Sequence, residues 1–273
     1  MKVTVVLDHK FIRDETGRIC AHTMFGDSFW QRYLTAFDSV DAICRVRPAN
    51  SRDKLIPIEN DRVRFRPVPY YEGPREFASR NREIRRELRI CCGEAEAVIL
   101  RVPQILPSFA GTLLCRRDYP FGVEVVGDPW DVYAPGAESN PLRPIFRYYF
   151  YRKLRKICSS AVASCYVTEF ALQKRYPPKP DTFSTHASSV QLEQAVSVPR
   201  PADSFSTDPC RLLFVGALNR LYKGQDVLIK AVGQLVSEGL NLTLRIVGDG
   251  QYRAELESLA ATMNLGERIH FAG

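Results

Sequence analysis

The C-terminal stretch of the sequence alternates apolar strands and amphipathic helices, and this order constrains the fold more than any other feature. Strands are predicted at Arg211–Gly216 and Leu242–Val247, and a third begins at Arg268–Phe271. Helices are predicted between them, at Gln225–Ser237 and Arg253–Met263. This strand–helix–strand order predicts a parallel, doubly wound α/β sheet. Because three strands alone leave both sheet edges open, we expect further sequence to follow.

The residues before this stretch show the same alternation. The predicted strands are Val3–Leu7, Val40–Val46, Ala97–Val102, Gly122–Val126 and Ala161–Thr168, and the predicted helices are Ser28–Phe37, Phe77–Cys92 and Pro144–Ser159. Strands separated by helices predict a parallel sheet covered on both faces. Residues 199–209 are rich in Pro and Ser and predict a linker. The chain is therefore expected to hold a first domain over 1–198 and a second over 210–273.

The charge of the chain narrows the classes of partner. The net charge is +7, and the first 208 residues carry 31 Lys and Arg against 25 Asp and Glu. Such an excess indicates an anionic partner: a phosphate-bearing substrate, a membrane surface or a nucleic acid. No helix-turn-helix, zinc-finger or RNP pattern is present, so we expect no nucleic acid partner. The chain shows neither an export signal nor an apolar run of about 18 residues, and this predicts a cytoplasmic protein.

Two strand-to-helix turns in the C-terminal stretch carry residue types that bind phosphate. The first follows Gly216 and holds Arg220 and Lys223 before the next helix. The second is Gly248-Asp249-Gly250, which again opens into a helix. In an open α/β sheet, ligands bind where the strands end, and there glycine admits a phosphate and lysine supplies charge. The second turn lacks the GxGxxG pattern, which argues against a Rossmann oxidoreductase.

Together the two turns resemble a known family. The string FVG–x6–KG–x–D–x–LI–x–A is followed by L–x–IVGDG, by LE–x–LA and by I–x–F–x–G, and this order resembles glycosyltransferase family 4. The resemblance covers Leu212 to Gly273, and EVVGDPWDVYAPG and YVTEFALQKRYPP extend it more loosely. It implies an α/β protein of the GT-B fold, with two Rossmann-like doubly wound domains that face a cleft. The second domain is expected to be incomplete in this sequence.

The resemblance also implies a function. Members of this family are retaining hexosyltransferase-type enzymes that move a hexose from a nucleotide-diphosphate sugar to a glycan or lipid-linked acceptor, here in polysaccharide or cell-envelope glycan synthesis. The nucleotide sugar is a substrate, and neither a cofactor nor a metal is implied. The residue matching Lys223 contacts the diphosphate and stabilises charge on the leaving group. The expected donor-binding residues are Gly216, Arg220, Lys223, Gly248, Asp249 and Gly250.

Departures from the family pattern leave a degenerate, non-catalytic nucleotide-sugar-binding relative as the alternative. Ala217 stands where the family commonly has arginine, and Val126 stands where many members have histidine. The Glu–x7–Glu segment that binds the donor sugar in the family has no counterpart before Gly273. We therefore expect the polypeptide as given to bind nucleotide sugar weakly and not to turn over.

The first domain is expected to supply the acceptor side. Asp128 is the candidate catalytic residue there, because it follows a predicted strand and could orient a sugar hydroxyl. A turn aspartate is the structural alternative. Thr168 and Glu169 end another predicted strand, and a helix N-cap explains them equally well. Gly26 and Gly127 complete the predicted acceptor-side residues.

Two further segments of the first domain bear on the acceptor. No Gly-Gly loop follows the first strand; a longer excursion, from Asp8 to Phe25, carries His9 and His22. The segment RPIFRYYFYRKLRK, from Arg143 to Lys156, holds six basic and five aromatic residues. It predicts peripheral contact with an anionic inner membrane face. A scaffold helix whose aromatic residues pack inward is the alternative.

Overall fold

The structure is a computed structural model that describes residues 1–21, 25–50, 55–135, 137, 141–189, 201 and 208–273. The chain forms two compact units. The first consists of Met1–Asp128 and Tyr149–Gln191, and the second of Pro129–Tyr148 and Leu192–Gly273. The predicted boundaries differ from this division, because they assign 129–148 to the first domain. Most of the predicted linker, 199–209, lies outside the described residues.

Twelve strands and nine α-helices are described. The strands are β1 Lys2–Arg13, β2 Ile19–Ala21, β3 Ser39–Pro48, β4 Ile56–Pro57, β5 Val63–Val68, β6 Ala97–Val102, β7 Gly122–Val125, β8 Ala163–Tyr166, β9 Phe183–His186, β10 Cys210–Val215, β11 Leu242–Val247 and β12 Ile269–Phe271. The helices are α1 Asp27–Leu34, α2 Gly73–Ser79, α3 Asn81–Gly93, α4 Ile105–Cys115, α5 Pro129–Val132, α6 Arg143–Cys158, α7 Ala171–Arg175, α8 Gln225–Ser237 and α9 Arg253–Thr262.

The first unit is built on a sheet of nine strands. Seven of them are parallel, in the order β5-β3-β1-β6-β7-β8-β9. The chain runs outward from β1 in one direction through β3 and β5, and in the other from β6 to β9. The strand order therefore reverses between β1 and β6, and ligands of doubly wound sheets bind at such a reversal.

Both faces of this sheet are covered, as the sequence predicts. Alternate residues of β1 point to opposite faces, so that Val5 packs with Trp30 of α1 while Val6 packs with Leu88 of α3 and Leu106 of α4. Buried aliphatic residues on both faces explain why the strands show continuous apolar runs in the sequence.

The first unit holds elements that were not predicted, namely β2, β4, β5, β9, α4 and α7, and two segments differ from their predictions. The excursion from Asp8 to Phe25 was expected to be a loop; instead β1 continues to Arg13 and pairs with antiparallel β2. His9 therefore lies in a strand, with its ring centroid 4.2 Å from that of Phe25, and His22 lies outside the described residues. The predicted helix Phe77–Cys92 is wrong in extent, because the chain forms two helices that meet at Arg80.

The second unit contains a parallel three-stranded sheet in the order β10-β11-β12. The predicted βαβαβ order is thus confirmed. Helices α8 and α9 share one core with this sheet, where Ile229 and Leu256 pack with Leu244. Leu213 and Val215 lie on the opposite face and are 65% and 66% exposed. One sheet face is therefore largely uncovered in the described chain, in line with the expectation for three isolated strands.

Candidate functional site

The two predicted phosphate-binding turns lie side by side at the carboxyl ends of β10 and β11. The backbone N–H of Gly216 donates to the carbonyl oxygen of Val247 (2.9 Å), so parallel pairing continues past the end of β10. Beyond that point Leu218 donates to the carbonyl oxygen of Asp249 (2.9 Å), and Tyr252 donates to that of Leu218 (3.0 Å). These backbone hydrogen bonds join the two turns into one rigid surface.

The second turn requires glycine because it approaches the first turn so closely. A Cβ atom at Gly248 would lie 2.1 Å from the carbonyl oxygen of Gly216, and one at Gly250 would lie 2.4 Å from the carbonyl carbon of Leu218. Both glycines also have positive φ, at 144° and 156°. Residues other than glycine rarely adopt such φ values. Both glycines are half-buried and thus let the two turns pack closely at the ends of these strands.

Lys223 extends over the first of these turns. Its Nζ lies 2.9 Å from the position that a Cβ of Gly216 would occupy, so glycine leaves room for the lysine against the strand end. Lys223 is exposed, and no hydrogen-bond or ion-pair partner of its ammonium lies among the described residues. The loop beneath it is held by buried Gln225, whose Nε2 donates to the carbonyl oxygens of Ala217 (3.3 Å) and Arg220 (3.1 Å). The Lys223 ammonium thus lies beside the end of β10, on a loop that Gln225 holds in place.

Charged residues flank these turns. Arg220 is exposed on the same loop as Lys223. The Asp249 carboxylate accepts a hydrogen bond from the Gly250 N–H (2.8 Å) and lies 3.8 Å from Arg253. Arg253 also pairs with Glu257 (2.8 Å) and donates to the carbonyl oxygen of Phe271, and the Glu257 hydrogen bond raises the pKa of Arg253. Sequence analysis did not identify Arg253 as part of this edge.

In the first unit, Asp128 follows β7 and is held by two side chains. Tyr176 donates from its hydroxyl to Oδ1 of Asp128 (2.6 Å), and Arg175 forms an ion pair with the other carboxylate oxygen. The Asp128 side chain therefore ties the end of β7 to the end of α7. Arg175 and Tyr176 lie within the segment YVTEFALQKRYPP, but nothing in the sequence indicated this pairing. A direct role of Asp128 toward an acceptor stays a prediction.

Thr168 and Glu169 follow β8, next to that pair. The Thr168 hydroxyl accepts a hydrogen bond from the backbone N–H of Leu172 (3.0 Å), as expected of a residue that caps a helix. Glu169 is exposed. The geometry thus gives Thr168 a structural role and leaves the Glu169 carboxylate open to solvent.

The two predicted acceptor-side glycines are not required by crowding. A Cβ at Gly26 would lie 3.7 Å from Ile56, and one at Gly127 would lie 3.5 Å from Pro103, both ordinary contact distances. Gly26 directly precedes α1 and Gly127 directly precedes Asp128. Their assignment to an acceptor site stays a prediction.

The strand reversal between β1 and β6 holds a buried polar cluster that sequence analysis missed. Asp8 forms an ion pair with Arg45 (2.6 Å), accepts from the Tyr71 hydroxyl (2.8 Å) and accepts from the Leu106 N–H (3.2 Å) at the start of α4. Burial and the adjacent carboxylate raise the pKa of Tyr71. The sequence signal for this cluster was an aspartate directly after the predicted strand Val3–Leu7. Here the protein's own carboxylate occupies the position at a helix start where doubly wound proteins commonly bind an anion.

The described ranges contain neither a metal-binding cluster nor a membrane-spanning helix. No group of three or more His, Cys, Asp or Glu residues within the described ranges could hold a metal ion. None of the helices in those ranges is long and apolar enough to span a bilayer.

Residues 209–273 match the family model described as Glycosyl transferases group 1. The C-terminal stretch therefore carries a group 1 glycosyl transferase domain. The matched residues include both turns and Lys223, so the predicted glycosyltransferase resemblance is confirmed for this stretch. Assignment to family 4 and a retaining reaction stay predictions.

A relative of the whole chain is the protein CapJ of Staphylococcus aureus. It is 27% identical over 256 residues, and the alignment covers 91% of this chain. The chain spans 62% of the length of CapJ.

Two solved structures are similar to the chain in fold. One is WaaG, a glycosyltransferase involved in lipopolysaccharide biosynthesis, with a TM-score of 0.53 and 16% identity over 98% of this chain and 69% of that one. The other is the lipopolysaccharide outer core galactosyltransferase WaaB, with a TM-score of 0.50 and 12% identity over 100% of this chain and 68% of that one. At such identities the likeness concerns the fold alone. Both are GT-B proteins, and the predicted fold class is confirmed.

Proposed function

We propose that this chain is part of a glycosyltransferase that moves a hexose from a nucleotide-diphosphate sugar to a glycan or lipid-linked acceptor in cell-envelope glycan synthesis. The observation that carries the proposal is the position of Lys223, whose ammonium lies over Gly216 beside the Gly248–Gly250 turn and has no hydrogen-bond or ion-pair partner among the described residues. A cation beside two glycine turns at the ends of parallel strands suits a diphosphate.

The chemistry of transfer explains why a fixed cation is needed. When the bond between the sugar and the diphosphate breaks, negative charge grows on the departing phosphate oxygen. A cation that is already in place stabilises this charge without reorganisation, and Lys223 supplies it. The family commonly has arginine at the position of Ala217, and we assign the role of that arginine to Arg220 on the same loop. Gly216, Gly248 and Gly250 give the diphosphate access to the backbone, and Asp249 lies at the rim.

Binding of nucleoside diphosphates to the purified full chain tests this assignment. Calorimetric titration with UDP, GDP, ADP and dTDP is expected to give saturable binding of at least one. Replacing Lys223 with alanine removes a charge-assisted contact worth about 1.5–3 kcal/mol, so affinity falls roughly tenfold or more. Lys230→Ala is the matched control, because Lys230 lies on α8 and pairs with Asp226 (3.6 Å). Unchanged affinity in Lys223→Ala contradicts the assigned role.

The full-length protein separates the enzyme from the degenerate alternative, because the polypeptide as given is expected not to turn over. A nucleotide sugar that binds and is consumed in the presence of an acceptor supports the enzyme, whereas saturable binding without transfer supports a non-catalytic relative. Hexose transfer and retention rest on the sequence resemblance, and the anomeric coupling constant of the product by NMR decides the stereochemistry.

Helix α6 supports the proposed contact of a cytoplasmic protein with the inner membrane face. Ile145, Tyr148 and Tyr149 on this helix are 64%, 55% and 54% exposed. Arg152 and Lys156 are exposed further along it. Aromatic and aliphatic side chains beside basic ones suit an anionic bilayer surface, and a lipid-linked acceptor would be presented there. Phe146, Phe150 and Tyr151 are half-buried, so a scaffold helix whose aromatic residues pack inward stays the alternative.

Vesicle sedimentation tests this contact. Vesicles with 30 mol% phosphatidylglycerol are expected to pull down the protein, and pure phosphatidylcholine vesicles are not. Arg152→Glu with Lys156→Glu should abolish the binding, while charge reversal of exposed Arg82 on α3 should not. Equal loss in both variants would show a general charge effect and contradict a specific role of α6.

A further inference from the structure

Phe170 lies in the turn between β8 and α7, at the carboxyl edge of the first sheet. Its side chain is 73% exposed, the largest exposed fraction among the large apolar residues that the structure describes. Single exposed apolar residues are common on protein surfaces, so exposure alone identifies no site. The surroundings of Phe170 provide the further evidence.

The turn that carries Phe170 is fixed at both ends of α7. At the start, Thr168 accepts a hydrogen bond from Leu172 (3.0 Å). At the end, Tyr176 donates to Asp128 (2.6 Å). The ring is therefore presented on a backbone that is already ordered, and a ligand that stacks on it does not bear the entropic cost of ordering this turn.

The residue beside the ring is a carboxylate that the described chain does not use. Glu169 is exposed, and it has no hydrogen-bond or ion-pair partner within the described ranges. Ala171 and Lys174 are also exposed, so the exposed apolar surface here consists of one aromatic ring and the methyl group of Ala171. A bilayer or an amphipathic helix needs a larger continuous apolar face. The patch suits a small ligand that has one apolar face and hydrogen-bond donors at its rim.

A pyranose ring has this character. Its axial C–H groups form an apolar face that is attracted to the negative face of an aromatic ring, and its hydroxyl groups donate to carboxylates. We propose that Phe170 and Glu169 form a platform on which the pyranose of the acceptor stacks, with Glu169 accepting hydrogen bonds from its hydroxyls. This inference rests on the proposed function for the role of the sugar as acceptor, but the sugar contact itself is separately measurable.

Saturation-transfer NMR on the full chain tests the platform without turnover. The probes are methyl pyranosides of glucose, galactose, mannose, N-acetylglucosamine and N-acetylgalactosamine, and the aromatic protons of the protein are irradiated. At least one probe is expected to receive saturation on the C–H protons of one ring face. Phe170→Ala should weaken its binding roughly tenfold, and Phe170→Tyr should retain it. Glu169→Ala should weaken binding while the saturated face stays the same.

Phe183 supplies the matched control. It is 69% exposed but lies at the amino end of β9, at the opposite edge of the same sheet, so Phe183→Ala should leave binding unchanged. Absence of saturation with every probe, or an unchanged signal in Phe170→Ala, overturns the platform. Loss of nucleoside diphosphate binding with an intact sugar signal instead refutes the proposed donor site, so the two failures are distinguishable.

Discussion

Alanine at position 248 should destabilise the second unit severely. Its Cβ would lie 2.1 Å from the carbonyl oxygen and 2.8 Å from the carbonyl carbon of Gly216. Both are backbone atoms, and the Gly216 N–H is bonded to Val247, so the neighbouring turn cannot move without breaking the pairing of β10 and β11. Overpacking costs about 1–3 kcal/mol, and a side chain in this φ region costs about 1–3 kcal/mol more. We expect a loss of about 4 kcal/mol in the free energy of unfolding.

Two other glycines of the second unit separate the cost of a side chain at positive φ from the cost of steric overlap with the neighbouring turn. Gly239 has a φ of 94° but open space around its Cβ position, and Gly266 has open space without a left-handed φ. Urea denaturation followed by circular dichroism should show a loss of about 1 kcal/mol for Gly239→Ala. For Gly266→Ala the change should stay within about 0.5 kcal/mol. If Gly248→Ala is no more destabilising than Gly239→Ala, the close approach of the two turns is refuted.

Two further predictions concern the first unit. Arg45→Met leaves the buried Asp8 carboxylate without its ion pair, so the free energy of unfolding should fall by about 3 kcal/mol in urea denaturation, and an unchanged midpoint would contradict the pairing. Burial raises the pKa of Cys158 to about 12, so the folded protein keeps this proton while the unfolded chain loses it above about pH 9. The contribution of Cys158 to stability should therefore be intact below pH 9 and fall by about 1.4 kcal/mol per pH unit above it, so the slope of stability against pH should flatten by about that amount in Cys158→Ala.

Regular hydrophobic patterns made much of the fold predictable. In the second unit, two strands, two helices and the order of all elements follow from apolar runs and a 3.6-residue period, because one helix face and one sheet face are buried there. Five of the nine described strands of the first unit were predicted for the same reason, namely β1, β3, β6, β7 and β8, whereas β2, β4, β5 and β9 were not. The β1–β2 hairpin was missed because its strand extension mixes Lys10, Arg13 and Arg18 with apolar residues. Helix α4 was missed because Pro107 and Gly111 interrupt a segment that is nevertheless deeply buried.

The candidate site was predictable where backbone chemistry decides it. Gly216, Gly248 and Gly250 stand where strands end, and their spacing in the sequence is enough to place them. Contacts between distant segments could not be predicted, since the pairing of Asp128 with Tyr176 depends on the packing of α7. The buried pair of Asp8 and Arg45 likewise forms only when β1 and β3 are adjacent.

The central claim is that the paired turns of the second unit bind the diphosphate of a nucleotide sugar. Hydrogen–deuterium exchange with and without a saturating nucleoside diphosphate tests it most directly. With the nucleoside diphosphate bound, slower exchange is expected at the backbone amides of residues 216–225 and 248–253. Slower exchange confined to the carboxyl ends of β1 and β6, or no change in either turn, would contradict it.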